Sequence, residues 1–261
     1  MKHIEMTTLL FKEKKDERTI RIRLPKDYHQ KKTSYPVLYM HDGQNLFDDS
    51  IAYGGHSWGI DDVLKSHNLD DLIVVGIDNS KDRMFEYSPW KSSPMVAKIT
   101  YVETGGEGDL YANFVVNTVK PYIETTYRVK KGYENTMIAG SSMGAYISAY
   151  IAAKFPDLFS IVGIFSLASW FNEEPFLAYI GDAKLPANQR YFISIGENET
   201  SYEPEKNFNQ IYLNNSRNFK ALLIQKGIQD IKYIETDDVH NELAWNKMFH
   251  VFILWINKKV Y

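Results

Sequence analysis

The chain has 261 residues, 44% hydrophobic and 24% charged, a balance that excludes disorder as its main state. Its 30 Lys and Arg against 33 Asp and Glu give a net charge of -3, which offers no basic footprint for nucleic acid or an anionic membrane. Cysteine is absent, which excludes disulfides, thiolate metal sites and cysteine nucleophiles.

The longest apolar run near the start, Leu9-Leu10-Phe11, is far short of a signal-peptide core. No later run reaches the roughly 18 apolar residues of a spanning helix, so a soluble cytoplasmic protein without a membrane partner is expected. Segments 6–12 and 19–24 predict a hairpin, because Thr19 to Leu24 alternates strictly. Short apolar runs follow at 36–40, 72–77, 136–139, 161–165, 191–195 and 231–234. Most are apolar at consecutive positions, as strands buried on both faces are. Helix-period segments lie between them at 58–66, 110–127, 143–154, 205–226 and 242–257. This alternation predicts one α/β domain over 1–261: a mostly parallel sheet with helices on both faces and an antiparallel hairpin at one edge. Segment 168–188, with Trp170, Phe171 and Phe176, fits the alternation poorly and is read as a small cap or as a surface helix.

At the end of the strand 136–139 stands Gly140-Ser141-Ser142-Met143-Gly144, followed by an apolar helix pattern. G-x-S-x-G in that context places a serine on a sharp strand-to-helix turn, its hydroxyl above the sheet edge. The alternative is a glycine-rich turn with a helix-capping serine, a role open to Ser141 as well. Such a hydroxyl needs a base, and imidazole suits that near neutral pH. Two histidines follow Ser142: His250, inside the last helix pattern, and His240, on the loop after the last strand. Open α/β sheets build sites on such loops, so His240 is the candidate base.

The acid belongs on the loop after 191–195, which reads Gly196-Glu197-Asn198-Glu199. Glu199 is preferred there and Glu197 is the alternative. An oxyanion needs two N–H donors; Met143, next to the serine, supplies one. The other is assigned to Gln44 in the loop His41-Asp42-Gly43-Gln44-Asn45. A metal site at His41, Asp42 and Asp48 lacks further ligands at recognisable spacing, so neither metal nor cofactor is expected. Trp58 and Trp170 are candidate pocket walls, with core packing as the other reading of Trp58. Arg83, Glu86, Tyr87 and Trp90 fit a structural loop, with Arg83 on a carboxylate, better than a substrate entrance.

With these residues placed, the sequence resembles the putative-esterase family of α/β-hydrolases, closest to its enterochelin-esterase-like members. The resemblance rests on Tyr39 to Asp48, Gly76 to Asn79, Glu86 to Trp90, Ala139 to Gly144, and His240-Asn241-Glu242 with Trp245. It implies the α/β-hydrolase fold, a serine carboxylesterase, and Ser142, His240 and Glu199 as its triad. Ala145 stands where many relatives have a second glycine. No basic cluster for a triply charged catecholate siderophore is visible. The alternative functions are an acyltransferase of the same superfamily and a catalytically idle hydrolase-fold scaffold that serves as a binding module.

Overall fold

The computed structural model describes residues 4–202 and 204–257. Eight strands form one sheet: β1 (Ile4–Phe11), β2 (Asp16–Arg23), β3 (Val37–His41), β4 (Ile73–Ile77), β5 (Thr136–Ser141), β6 (Ile161–Phe165), β7 (Arg190–Gly196) and β8 (Asp230–Thr236). Their spatial order is β1-β2-β4-β3-β5-β6-β7-β8. β1 pairs antiparallel with β2, and β2 with β4; every pair from β4 to β8 is parallel. Every residue of β3, β4, β5 and β6 is buried, which is why these segments read as unbroken apolar runs.

Alternate residues serve two cores. Val37 and Tyr39 of β3 pack on the face that carries helices Met143–Lys154 and Phe208–Gln225. Leu38 and Met40 pack on the other, beneath helices Ile60–Ser66 and Glu242–Ile256. The chain runs from β3 outward to β4 and then back across to β5, so the winding direction reverses between β3 and β5. Loops leaving the carboxyl ends of strands on either side of such a reversal diverge and leave a crevice. His41 ends β3 and Ser141 ends β5, which puts the loops of interest at that crevice.

The helix expected over 110–127 forms as three segments, Gly108–Phe114, a π-helical Val115–Val119 and Lys120–Thr126. Pro121 has no N–H to give to residue 117, and the wide turn directly precedes it. Short helices Arg83–Glu86 and Pro94–Thr100 have no periodic signature in the sequence. Segment 168–188 contains a 3₁₀ turn, Ser169–Phe171, and a helix, Glu173–Asp182, whose Phe176 packs on Tyr146 and Phe219. No helix among the described residues is long and apolar enough to cross a membrane.

One buried ion pair ties the sheet to the first loops. Arg18 of β2 donates twice to Glu86, both bonds 2.9 Å, and Ser80 adds a third at 3.1 Å. Neither charge is exposed. Glu86→Ala leaves the buried guanidinium only the Asp16 carboxylate, 3.3 Å from Nη2, so unfolding free energy in urea should fall by about 3 kcal/mol.

Candidate active site

The site begins where β5 turns directly into helix Met143–Lys154. Ser142 stands at that corner with φ 56° and ψ -123°, a conformation that costs an L-residue of order 1–3 kcal/mol. Its amide bonds to Phe165 O at 2.9 Å, and its carbonyl accepts from Ala145 and Tyr146. A Cβ at Gly140 would lie 2.6 Å from the Gly144 carbonyl group, so only glycine lets strand and helix approach this closely.

Three strand ends bring partners to the Ser142 hydroxyl. His240, on the loop after β8, places Nε2 3.0 Å from Ser142 Oγ. Its Nδ1 lies 2.8 Å from Glu199 Oε2, on the loop after β7. Glu199 is 1% exposed, and its other oxygen accepts from the Gly196 amide at 2.8 Å and Ser166 Oγ at 2.5 Å. Glu197 faces solvent, away from His240. His250 instead pairs with His67, Nδ1 to Nε2 2.8 Å. Ser166, which follows β6 with φ 53°, also accepts the Trp245 indole N–H at 2.8 Å. Trp245 stands edge-on to the His240 ring, and Tyr212 packs against it at 5.1 Å.

Met143 is the first residue of its helix, so its amide has no acceptor four residues back. Gln44 is the middle residue of the 3₁₀ turn Gly43–Asn45, which follows Asp42 in a left-handed conformation (φ 56°). Beneath that turn, Asp42 accepts from Arg83 Nε and Nη2 at 2.7 and 2.8 Å and from Asn79 at 2.6 Å. Burial pushes the Asp42 carboxyl up, but the Arg83 charge with these bonds outweighs it and holds the carboxyl below its ordinary value. Arg83 is therefore a structural cation on a carboxylate. Tyr87 belongs to the same assembly, its hydroxyl accepting from the Asp42 amide at 3.2 Å, while Trp90 packs on Tyr146 and Tyr150.

His41 is buried beside this network, its Nδ1 2.8 Å from Tyr111 Oη, and burial lowers its pKa to about 3. It is therefore neutral at physiological pH. With Asp42 committed to Arg83, the residues of the discounted metal site are otherwise engaged. No group of three or more His, Cys, Asp or Glu among the described residues is placed to hold a metal ion.

The two tryptophans differ. Trp58 is core, packed on Phe165, Trp245 and Phe249, so of its two readings the core one holds and the pocket wall does not. Trp170 packs edge-on against Phe208 and Tyr212, beside the His240 ring. Its indole N–H is buried with no hydrogen-bond acceptor among the described residues.

Sequence reasoning assigned no role to Ser166, Tyr212 or Glu242, although Glu242 stood in the quoted motif. Ser166 carried no local signal, since only the folded ends of β6 and β7 bring it to Glu199.

The model of the Esterase family, described as putative esterase, matches residues 12–255. The chain is 25% identical over 253 residues to the uncharacterized protein YbbA of Bacillus subtilis, covering 96% of both. It superposes on the BES protein from Bacillus cereus with a TM-score of 0.76 at 18% identity, covering 99% of this chain and 96% of that one. A ferulic acid esterase from Anaeromyces mucronatus, solved with ferulic acid, gives 0.65 at 24% identity, covering 98% and 90%. The chain belongs to the Esterase family, and with it to the serine hydrolases of the α/β-hydrolase fold.

Proposed function

We propose that the protein is a serine carboxylesterase that hydrolyses a small acyl or aryl ester through an acyl-enzyme intermediate. The observation that carries this reading is the line of contacts Ser142–His240–Glu199, ending on a serine held in a strained turn. Ser142 Oγ attacks the ester carbonyl carbon as its proton passes to His240 Nε2. The amides of Gln44 and Met143 receive the oxyanion. Collapse breaks the C–O bond, His240 protonates the leaving alcohol, and the acyl group stays on Ser142. Water then attacks the acyl-enzyme, giving its proton to His240, and the acid departs as Ser142 is reprotonated. Glu199 holds Nδ1–H and stabilises the imidazolium formed in each half-reaction.

Trp170, backed by the buried Tyr212 beside the His240 ring, is assigned to the side of the site that receives the acyl group. Aromatic surface beside the nucleophile supports small acyl or aryl groups over long chains. The family match supports ester hydrolysis independently of this geometry.

Ser142→Ala should lower kcat/KM for p-nitrophenyl acetate by at least about 1,000-fold and abolish labelling by a fluorophosphonate probe. Wild-type turnover in that variant excludes Ser142 as the nucleophile. Glu199→Gln should cost about 100-fold or more in kcat, while Glu197→Gln stays within about twofold. Equal losses would remove Glu199 from its role.

The support of the oxyanion turn predicts a pH effect. Asp42 has a depressed folded pKa, so its contribution is complete above the unfolded value of about 3.9 and is lost as pH falls through the lower folded value. Arg83→Gln removes the cause of the depression. The gap in melting temperature between wild type and Arg83→Gln should therefore be widest above pH 5 and narrow below pH 4.

A further inference from the structure

Glu242 lies two residues beyond His240, at the first position of helix Glu242–Ile256, and is only 8% exposed. No side chain among the described residues bonds to its carboxylate, whose protein donor is its own backbone N–H. A carboxylate covered to this degree keeps its charge at a cost, which its own N–H and the helix N-terminus offset in part. Burial accordingly pushes this carboxyl above its ordinary value, while the His240 and Arg83 charges oppose the rise.

A Cβ added at Gly54 would lie 3.5 Å from Glu242 Oε2, ordinary van der Waals contact, so the turn that carries Gly54 packs directly beside the carboxylate. Gly54 and Gly55 both have left-handed φ values, 82° and 76°, in a turn that carries Tyr53, 82% exposed. That turn is bound to the oxyanion side through Tyr53 N–H to Asn45 Oδ1, at 3.0 Å. Further along, Trp58 O accepts from Asn246 of the helix that Glu242 begins, at 2.7 Å. Segment 48–58 thus bridges the oxyanion turn and the His240 loop, with the free carboxylate against its middle.

From this arrangement we infer that Glu242 recognises the alcohol portion of the ester, accepting a hydrogen bond from an ammonium or hydroxyl group and rejecting a carboxylate. The inference rests on the serine-esterase reading for its choice of side. His240 Nε2 must protonate the leaving oxygen, so the alcohol portion departs past the His240 loop, where Glu242 stands. A charged donor gains most from an uncompensated carboxylate, and a like charge is excluded by it. The exposed Tyr53 ring supplies a face that suits a cation or a hydroxylated carbon skeleton.

The test is a matched series of acetate esters, of propanol, ethylene glycol, 2-aminoethanol and glycolate, assayed for kcat/KM. Wild type should favour at least one donor-bearing ester over propyl acetate about fivefold, and the ammonium arm is separated from the hydroxyl arm by which ester gains. It should disfavour acetylglycolate about tenfold. Glu242→Gln should shrink the ratio of aminoethyl acetate to acetylglycolate at least tenfold, and Glu242→Asp, which keeps the charge, should restore most of it. A ratio that Glu242→Gln leaves unchanged overturns the inference, as does an equal loss on all four esters, which marks a positioning role on His240. Binding of aminoethyl acetate to Ser142→Ala protein, read by calorimetry, needs no turnover. There Glu242→Gln should raise Kd about tenfold. If wild type hydrolyses none of the esters, the esterase reading fails and this binding result decides alone, an unchanged Kd overturning the inference.

Discussion

The site depends on one steric constraint, the contact between Gly140 and Gly144. β5 passes into its helix without a loop: a Cβ at Gly140 would lie 2.6 Å from the Gly144 carbonyl group, and one at Gly144 would press on Asp42 and His41 at 3.3 Å. The chain can close so tight a corner only by driving Ser142 into its strained conformation. The strain persists because both flanks are rigid. β5 is wholly buried between β3 and β6, and eleven consecutive residues of the helix, Met143 to Ala153, are buried as well. A hydroxyl fixed this way gives the surrounding loops a single point on which to converge.

The proton positions along the convergent chain follow from its far end. An indole N–H can only donate, so Ser166 Oγ accepts from Trp245 and turns its own hydrogen toward Glu199. Ionised Glu199 accepts from Ser166, from the Gly196 amide and from His240, so the imidazole carries its proton on Nδ1. Nε2 is then left as an acceptor facing Ser142. The tautomer that the proposed base catalysis requires follows from the Glu199 carboxylate at Nδ1, which Ser166 and Trp245 of the last helix hold in place and about which the motif around the serine says nothing.

Where the controlling interactions are local, the sequence was informative. Consecutive apolar residues located the strands of the sheet, and the turn chemistry around Ser142 located the corner. Chain order alone brought His240 and the 196–199 loop to it. Glu199 and Glu197 differ by which side of a short loop faces inward. That is decided by the Ser166 hydroxyl and the Gly196 amide, whose approach comes from strand pairing rather than local pattern. Trp58 shows the same limit: its place between Phe165 and Trp245 depends on two distant segments. The short helices near 83 and 94 are too brief to develop a period, and the π-turn at 115–119 interrupts one.

The absence of a basic cluster, first visible in the composition, acquires a more definite form at the mouth of the site. Arg83, beside the oxyanion turn, is held bidentately by Asp42, and its charge is compensated within the protein. Glu242 has no such counterpart. Its place in the first turn of a fifteen-residue helix sets it against the positive end of the helix dipole, which favours the ionised form that burial opposes. With Glu199 on Nδ1 of His240, three carboxylates, Asp42, Glu199 and Glu242, and the Arg83 guanidinium stand around this site, and their summed charge is negative. On the proposed reading an anionic alcohol is repelled by that charge, whereas an ammonium or hydroxyl group supplies the partner that the Glu242 carboxylate lacks.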